Sequence, residues 1–454
     1  MSRSLKRWHY SFSSWQTPER DEHPQVACTR RAADTCSQLT DPVASITMHT
    51  SPPRATALLL NVAHALDHMF LLIFATAVAT IATEFGFADW ESLMPYGVGA
   101  FMLFGLGSLP AGRLGDLWGR RRMILLFFFG MSASALLVAL TRNAWQLAGA
   151  LTLLGAFSSI YHPVGIPMLV RGARRPGLTI GINGLSGNLG VALAAVTTGF
   201  LVKYVGWRAA FVVPAMVAFA CGITFARVAP REIAPPAHAP KKAAVHDAAT
   251  LARVFAVMTI AAISSSLLFN FTTNGNGQLL RERFAGIIED PALLGLLLAS
   301  VYVIASFAQV AVGLLIDRYP LKYMYLGIVA LQAPLFVLAA SASGWALFAC
   351  LVAFMIVVFG AIPFTDAMIV RYVDDRMRSR VSGMRLAVSF SVSSAAVWLL
   401  GPVVKAGGFS VLLLAMAGIA LVTLAAIAWL PGAAPGNAAT RPARVDALPG
   451  RGDD

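Results

Sequence analysis

The sequence predicts an all-α membrane protein of twelve transmembrane helices, arranged as two pseudo-symmetric six-helix bundles. Three observations support this prediction. The chain of 454 residues is 57% hydrophobic and only 13% charged, whereas soluble globular proteins carry about 25% charged residues. Apolar windows of the ~20 residues that cross a bilayer recur along the chain. A Gly and an Asp near the end of the second window also recur, with the same spacing, near the end of the eighth window.

The predicted spans form two sets of six. The first set falls at 57–83, 92–114, 123–141, 145–170, 178–205 and 208–228. The second set falls at 252–273, 292–316, 322–341, 345–370, 379–404 and 409–430. A polar, proline-containing linker separates them at 229–250, so we expect one bundle at 55–228 and the other at 251–431.

The two ends of the chain differ in composition from the spans. Residues 1–54 are polar, basic and rich in Ser and Thr, and they lack the apolar core of a signal peptide. We expect a disordered cytoplasmic tail there, or a translation start at Met48 that leaves only its last residues. Residues 432–454, rich in Ala, Pro, Gly and Arg, predict a second disordered tail.

Basic residues concentrate in the loops on one side of the predicted spans. These are Arg113, Arg120, Arg121, Arg122, Arg171, Arg174, Arg175, Arg231, Lys241, Lys242, Arg318, Lys322, Arg376, Arg378 and Arg380. The loops at 84–91 and 341–345, on the other side, contain no Lys or Arg. The positive-inside rule therefore predicts a bacterial inner-membrane protein with both termini in the cytoplasm. The net charge of +13 comes mainly from these loops. The sequence has no basic stripe interleaved with aromatic residues, so we expect no nucleic-acid partner.

Several function classes lack their sequence signals. The four cysteines are scattered and have no metal-ligand spacing, and nothing resembles a metal cluster or a nucleophile elbow. No Walker sequence G-x-x-x-x-G-K-[ST] is present, so ATP is not the expected energy source. We therefore expect neither an enzyme nor a bound cofactor or metal.

An internal repeat relates the two sets of spans. Gly and Asp recur with the same spacing after span 2 and span 8, 201 residues apart (313 − 112 and 317 − 116), and an M-[LI]-V-R segment ending span 4 returns at the end of span 10. The matched positions are Gly112 and Gly313, Asp116 and Asp317, and Arg171 and Arg371. Such duplication of a six-helix half around a central cavity is typical of secondary transporters.

Residues 112–122 resemble the signature loop between helices 2 and 3 of the major facilitator superfamily, G-x-L-x-D-x-x-G-R-R. The matching positions are Gly112, Leu114, Asp116, Gly119, Arg120 and Arg121. Trp207–Phe211 is similar to the family's W-R-x-x-F, and the resemblance covers residues 55–430. It implies alternating access, with Asp116 pairing with groups on helices 4 and 11 and Arg171 as its matching partner. Alternatively, the three arginines at 120–122 only set the topology.

Helix 1 carries the densest group of polar residues inside a predicted span. Asn61, His64, Asp67 and His68 fall within an arc of roughly 120° on one helical face. Ionisable groups in a span cost ~2.5–3.5 kcal/mol on insertion scales, so this face points into the bundle. We expect Asp67 to hold and release a proton beside the two imidazoles. The alternative is a hydrogen-bond knot that only packs helices.

Helices 4 and 5 add three candidates. His162 precedes Pro163, which frees a backbone carbonyl and is tolerated where a helix lines a cavity, so His162 is a cavity ligand or a packing donor. The glycine-rich stretch 181–190 contains Asn183 and Asn188 and predicts close helix contact. Proton-coupled drug exporters of the superfamily carry a central proline in this helix. Asn188 stands where that proline is expected, so the export signature is partial.

The second half contains fewer candidates. Asn270 opens a polar stretch at the end of helix 7, which predicts either a broken helix near a cavity mouth or the start of a loop. Asp366 in helix 10 follows Pro363 and precedes Arg371, so it lines the cavity or forms a local ion pair. We find no Arg or Lys in the middle of a span, which disfavours phosphate or dicarboxylate substrates.

These observations favour proton-coupled export of a small organic compound, and the layout most resembles fosmidomycin-resistance and drug:proton antiporters. The expected partners are a small-molecule substrate, protons and the lipid bilayer, and we expect a monomer. One alternative is a proton symporter that imports a metabolite, and sodium could replace the proton. Another is a receptor or scaffold that has lost transport, in which Asp67 and the helix 1 histidines are dispensable.

Overall fold

The computed structural model describes residues 52–430, except 172, 174, 232–247, 317 and 373–374. The predicted tail at 432–454 and nearly all of the tail at 1–54 lie outside the described residues, as does most of the predicted linker. Throughout these described ranges the regular structure is helical, with no β-strand.

The first half of the chain contains six spans, α1 to α6. Their bounds are Arg54–Glu84 for α1, Trp90–Leu106 and Ser108–Trp118 for α2, Arg120–Ala139 for α3, Ala144–Val170 for α4, Pro176–Tyr204 for α5 and Trp207–Val228 for α6. The two segments of α2 meet at 45°. Pro110 lacks the N–H that would bond the carbonyl of residue 106, which accounts for a bend at this point.

The second half begins with α7 (Ala248–Arg283), α8 (Pro291–Ile316), α9 (Leu321–Ser341) and α10 (Gly344–Tyr372). A run of 54 residues, Asp375–Ala428, follows and is broken at Gly408, whose φ of +72° favours glycine. We call residues 375–407 α11 and residues 409–428 α12. With α2 taken as one bent span, the described residues contain twelve spans, which confirms the predicted fold class.

The predicted end of helix 7 is wrong. Neither a break nor a loop follows Asn270, because α7 continues to Arg283. Thr272 and Thr273 donate hydrogen bonds to the carbonyls of residues 268 and 269, and the Asn274 amide donates to the carbonyl of residue 270. These side chains are buried, so packing against neighbouring helices overrides their low helix propensity.

The two halves meet along two helix pairs, α5 with α8 and α2 with α11. Glycines allow this close approach. A Cβ on Gly199 of α5 would lie 2.5 Å from the carbonyl oxygen of Pro291, and one on Gly105 of α2 would lie 2.4 Å from the backbone nitrogen of Ser391. Small residues at such contacts are the usual device for packing helices within a membrane.

Ion pairs join the halves at one end of the molecule. We call this the opposite end, and we call the end that bears residues 119, 171 and 175 the signature end. At the opposite end Lys203 pairs with Asp290, and Lys405 Nζ lies 2.8 Å from Asp89 Oδ2. The hydrogen bonds from these lysines lower the pKa of both carboxyl groups. These pairs hold the two halves in contact at the opposite end.

The W-R-x-x-F segment stabilises the first half at the same end. The Trp207 indole N–H donates to Glu84 Oε2 at 2.6 Å, and Arg208 pairs with the same carboxylate at 2.6 Å. Arg208 also donates to the carbonyl of Thr141 at 3.1 Å. These contacts link the ends of α1, α3 and α6.

Candidate functional site

A buried group of polar side chains lies where α1, α4 and α5 meet. We call it the histidine cluster; its members are Asn61, His64, Asp67, His68, Ser158, Tyr161, His162 and Asn183. Three of the four helix 1 residues contact polar groups of α4 or α5, and His68 contacts His64. The polar face predicted for helix 1 therefore does point into the bundle.

A π-helical turn in α4, Tyr161–Gly165, presents Tyr161 and His162 to the cluster. Pro163 lies within this turn and lacks the N–H of a regular helix, and such turns occur at functional sites. Two glycines of α2 pack on this turn, Gly112 of the signature and the nearby Gly115. A Cβ on Gly112 would lie 3.3 Å from Pro163 Cβ, and a Cβ on Gly115 would lie 3.0 Å from a methyl of Val164. A small residue at these two positions therefore allows α2 to pack closely against the π-helical turn.

The glycine-rich part of α5 packs directly against α1. A Cβ on Gly187 would lie 2.7 Å from the His64 ring, and a Cβ on Gly190 would lie 2.1 Å from the carbonyl oxygen of Ala65. Gly184 instead faces α8, where a Cβ would lie 2.8 Å from the side-chain oxygen of Gln309. The glycines of α5 thus serve two faces, one toward the cluster and one toward the other half.

The hydrogen bonds of His64 define its tautomer. Its Nδ1 lies 2.7 Å from the backbone oxygen of Asn183, which can only accept, so the neutral ring carries its proton on Nδ1. Its Nε2 is therefore an acceptor, and it lies 3.2 Å from Nε2 of His68. The ring stacks on Tyr161 with centroids 4.8 Å apart.

Asp67 is completely buried and only half satisfied. Its Oδ1 accepts a hydrogen bond from the Ser158 hydroxyl. Its Oδ2 lies 3.6 Å from His162 Nε2, which is longer than a hydrogen bond. Neither of these two atoms has a hydrogen-bond partner among the described residues. The pair can exchange a proton after a movement of less than 1 Å, given a normal hydrogen-bond length of about 2.8 Å.

Asn183 connects the cluster to the start of α1. Its side-chain amide donates to Asn61 Oδ1 at 2.9 Å and to the Tyr161 hydroxyl at 2.7 Å. The Tyr161 ring in turn contacts His64 and His162. Three helices therefore share one hydrogen-bond network.

Aromatic rings from the second half cover the cluster. The Phe390 ring of α11 lies 4.9 Å from the His162 ring, and Phe269 of α7 lies 6.2 Å from the His68 ring. Phe104 of α2 stacks on Phe390 at 4.2 Å. The cluster thus lies at the interface between the halves, and a separation of the halves would uncover it.

Two other predicted site residues lie in separate surroundings. Asn270 donates to the Ser393 hydroxyl at 2.8 Å and to the carbonyl of Ser266 at 2.9 Å, within the second half. Asn188 is 4% exposed, and its amide nitrogen has no partner among the described residues.

The signature loop lies at the end of α2. Gly119 has φ of +93°, which favours glycine at the sharp turn into α3. Asp116 is exposed and lies 4.0 Å from Arg120, and its pairing with Arg171 stays a prediction. Arg121 donates to the carbonyls of residues 226 and 229, at the end of α6.

The repeat of this loop in the second half is only partly described. A Cβ on Gly313 would meet no atom within 4 Å, so no close contact here requires a glycine as at Gly112. Asp317 lies outside the described residues, and Asp366 and Arg371 lie outside those whose side chains are described. Their gating and cavity roles stay predictions.

Sequence reasoning missed three contributions. Ser158 donates a hydrogen bond to Asp67, Tyr161 accepts one from the Asn183 amide, and Arg385 lies in α11. Arg385 lies inside the apolar window 379–404, is partly buried in α11 and donates to the Thr365 hydroxyl at 3.0 Å. Arg385 lies near the start of that window, before the apolar segment that begins at Ala387, so the expectation that no Arg or Lys lies in the middle of a span is unaffected. Its place inside a predicted apolar window, which also contains Arg380, was the available signal.

The comparisons with known proteins agree with this architecture. The family model described as Major Facilitator Superfamily matches residues 60–285. A probable actinorhodin transporter of Streptomyces coelicolor is 28% identical over 26% of this chain and 21% of its own length. The multidrug efflux pump LfrA of Mycolicibacterium smegmatis is 31% identical over 31% of this chain and 28% of its own length. A tetracenomycin C resistance and export protein of Streptomyces glaucescens is 29% identical over 27% of this chain and 23% of its own length.

These curated relatives match only part of the chain, and the chain spans between 21% and 28% of their length. Structural similarity covers more of the chain than this sequence similarity does. The crystal structure of a bacterial homolog to the human lysosomal transporter Spinster, in an inward-facing and unoccupied conformation, superposes with a TM-score of 0.61. That match covers 83% of this chain and 94% of the other at 14% identity, so it concerns the fold alone.

Proposed function

Because the chain belongs to the major facilitator superfamily, we propose that it is a secondary active transporter that exports a small organic compound in exchange for protons. The two halves rock against each other and open the histidine cluster to each side of the membrane in turn. Asp67 is the group that carries the coupling proton.

The observation that supports this proposal is the placement of Asp67. Its carboxyl group is completely buried, bonded to Ser158 through one oxygen and facing His162 through the other at 3.6 Å. A buried carboxylate without a full set of partners is costly, so a proton taken up by Asp67 stabilises the occluded state. Opening of the cluster to water removes that cost and lets the proton leave.

Alternating access requires contacts that can break at each end. At the opposite end these are the pairs Lys203–Asp290 and Lys405–Asp89. Both pairs are partly exposed, and exposed ion pairs add little to stability, so they separate readily. Opening toward the opposite end then requires Phe390 to move from His162 as the halves part.

The distribution of arginines supports an orientation with the signature end in the cytoplasm of a bacterium. In that orientation the ion pairs at the opposite end favour a state that is closed to the outside. Both halves of the cavity come from one chain, which supports a monomer as the transporting unit.

The relatives support export as the direction of transport. Their names refer to actinorhodin, tetracenomycin C and multidrug efflux. We therefore propose that the cargo is an organic compound of the kind that such exporters handle. An importer that couples protons to uptake of a metabolite is the second candidate, and the direction is decided by experiment.

Everted membrane vesicles from cells that express this protein test the proposal. The vesicles are energised, and a pH-sensitive dye reports the proton gradient while compounds are added, beginning with actinorhodin and tetracenomycin C. We expect a compound-dependent loss of the gradient that is absent from vesicles without the protein. Compound-driven acidification in right-side-out vesicles, with no response in everted ones, would instead establish import.

A further inference from the structure

We infer that His64, His68 and His162 form a binding site for a divalent transition-metal ion such as Zn²⁺, with Asp67 as a neighbouring oxygen donor. One ligand atom from each of the three imidazoles can be chosen so that all lie within 4.8 Å of one another. The sequence hides this grouping, because His162 lies on a different helix from His64 and His68. The inference concerns the same site as the proposed function, but metal binding does not require transport.

The positions of the nitrogen atoms are close to those of a coordination shell. Four ligands at the 2.0–2.1 Å typical of zinc are separated from one another by about 3.3 Å in a tetrahedron. The Nε2 atoms of His64 and His68 are already 3.2 Å apart. A metal ion between them replaces their mutual hydrogen bond with two coordinate bonds. A small inward movement of His162 completes three nitrogen ligands.

His64 is also oriented as metal-binding histidines usually are. Its Nδ1–H donates to the backbone oxygen of Asn183 at 2.7 Å, which leaves the Nε2 lone pair facing His68. In metal-binding histidines, a hydrogen bond from the ring nitrogen that does not bind the metal to a carbonyl fixes the tautomer and the orientation of the imidazole. Since Asn183 supplies its main-chain oxygen, this contact does not depend on the Asn183 side chain.

A second observation points to a ligand in the same place. His162 Nε2 and Asp67 Oδ2 face each other at 3.6 Å, and neither has a hydrogen-bond partner among the described residues. Asp67 is completely buried, and the His162 side chain is 11% exposed. A cation bound to His162 gives both atoms a partner, since it takes a lone pair from the imidazole and is attracted to the carboxylate.

The donor set selects the class of metal. Three imidazoles and one carboxylate suit Zn²⁺, Co²⁺ and Ni²⁺, whereas Mg²⁺ and Ca²⁺ require mainly oxygen ligands. The metal arrives either as a free ion or within an organic chelate that is the cargo. The shared chemistry in both cases is coordination by the three imidazoles.

Cobalt absorption spectroscopy tests the site in the purified full-length protein, prepared with a tag that contains no histidine. CoCl₂ is added, and visible d–d bands of a four- or five-coordinate Co²⁺ are followed and then abolished with ZnCl₂. We expect one Co²⁺ per chain, and at least a tenfold weaker affinity in His68→Gln and in His162→Gln. His238→Gln with His246→Gln controls for binding by histidines elsewhere.

A cysteine variant separates coordination from a merely structural role. His162→Cys retains a metal ligand, so it restores Co²⁺ binding and adds a thiolate-to-metal charge-transfer band in the near ultraviolet, which only direct coordination produces. Equal Co²⁺ affinity in the wild type and His162→Gln, with a monodisperse protein and no such band in His162→Cys, would overturn the inference. Proton-coupled export remains testable in that event, because its dye assay contains no added metal.

Uptake of ⁶⁵Zn²⁺ into energised everted vesicles, with and without the active organic compound, distinguishes a free ion from a chelate. Accumulation without the compound identifies the free ion, and accumulation only with it identifies the chelate. Either result requires loss in His68→Gln to support the site. Zinc accumulation that persists unchanged in this variant contradicts it.

Discussion

The packing of α5 against α1 gives a prediction whose size can be derived from distances. In Gly190→Ala the new Cβ would lie 2.1 Å from the carbonyl oxygen of Ala65, and its other near neighbours are also backbone atoms. Carbon and oxygen atoms normally approach to about 3.3 Å, so the helices must separate by about 1 Å. No side-chain rotation relieves this contact.

The expected cost is at the upper end of the range for overpacking, about 3 kcal/mol. Replacing glycine with alanine within a helix recovers about 1 kcal/mol through the backbone. The matched control is Gly181→Ala in the same helix, where a Cβ would meet no atom within 4 Å. This control obtains the gain without the clash, so the two variants should differ by about 3 kcal/mol in the free energy of unfolding.

Thermal unfolding in detergent, followed by intrinsic fluorescence, measures the difference. We expect the Gly190→Ala midpoint to lie about 3–4 °C below that of Gly181→Ala, from the entropy of unfolding scaled to a chain of this length. Transport should fall as well, because His64 precedes Ala65 and moves with it. Equal midpoints and equal transport in both variants would refute the proposed contact between α1 and α5.

Two further predictions concern the proton site and the closed end. Ser158→Ala removes the only hydrogen bond that the Asp67 carboxyl group receives among the described residues, so the pH at which transport is half-maximal should shift; an unchanged pH profile contradicts the role of Ser158. At the opposite end, hydrogen bonds from Lys405 and Ser92 lower the pKa of Asp89 to about 2. Its contribution to closure is therefore present above the ordinary carboxyl pKa of 3.8 and is lost as the pH falls through about 2. Spin-label distances across that end should stay constant from pH 5 to 8 and increase in Asp89→Asn but not in Asp89→Glu; a widening within that pH range in the wild type counts against this assignment.

The twelve-span fold could be predicted from the sequence, because bilayer thickness fixes the length of each apolar window. The polar end of α7 could not. Asn270 and the residues after it have low helix propensity, and only their burial and their bonds to preceding carbonyls keep them helical.

Only the helix 1 part of the histidine cluster could be predicted from the sequence. The helical period places Asn61, His64, Asp67 and His68 on one face, and their cost in a membrane indicates that this face is internal. The contacts with His162 and Ser158 depend on how α4 packs against α1 and on the π-turn, which no local pattern specifies.

The central claim is that Asp67 carries the coupling proton. Asp67→Asn keeps the shape of the side chain and cannot ionise, so it is compared with the wild type in proteoliposomes with the compound that discharges the gradient in everted vesicles. We predict that the variant loses accumulation driven by an imposed pH gradient but retains exchange of labelled for unlabelled compound, because the binding cavity and the rocking of the halves are intact. Accumulation at the wild-type rate under the same gradient would contradict the account.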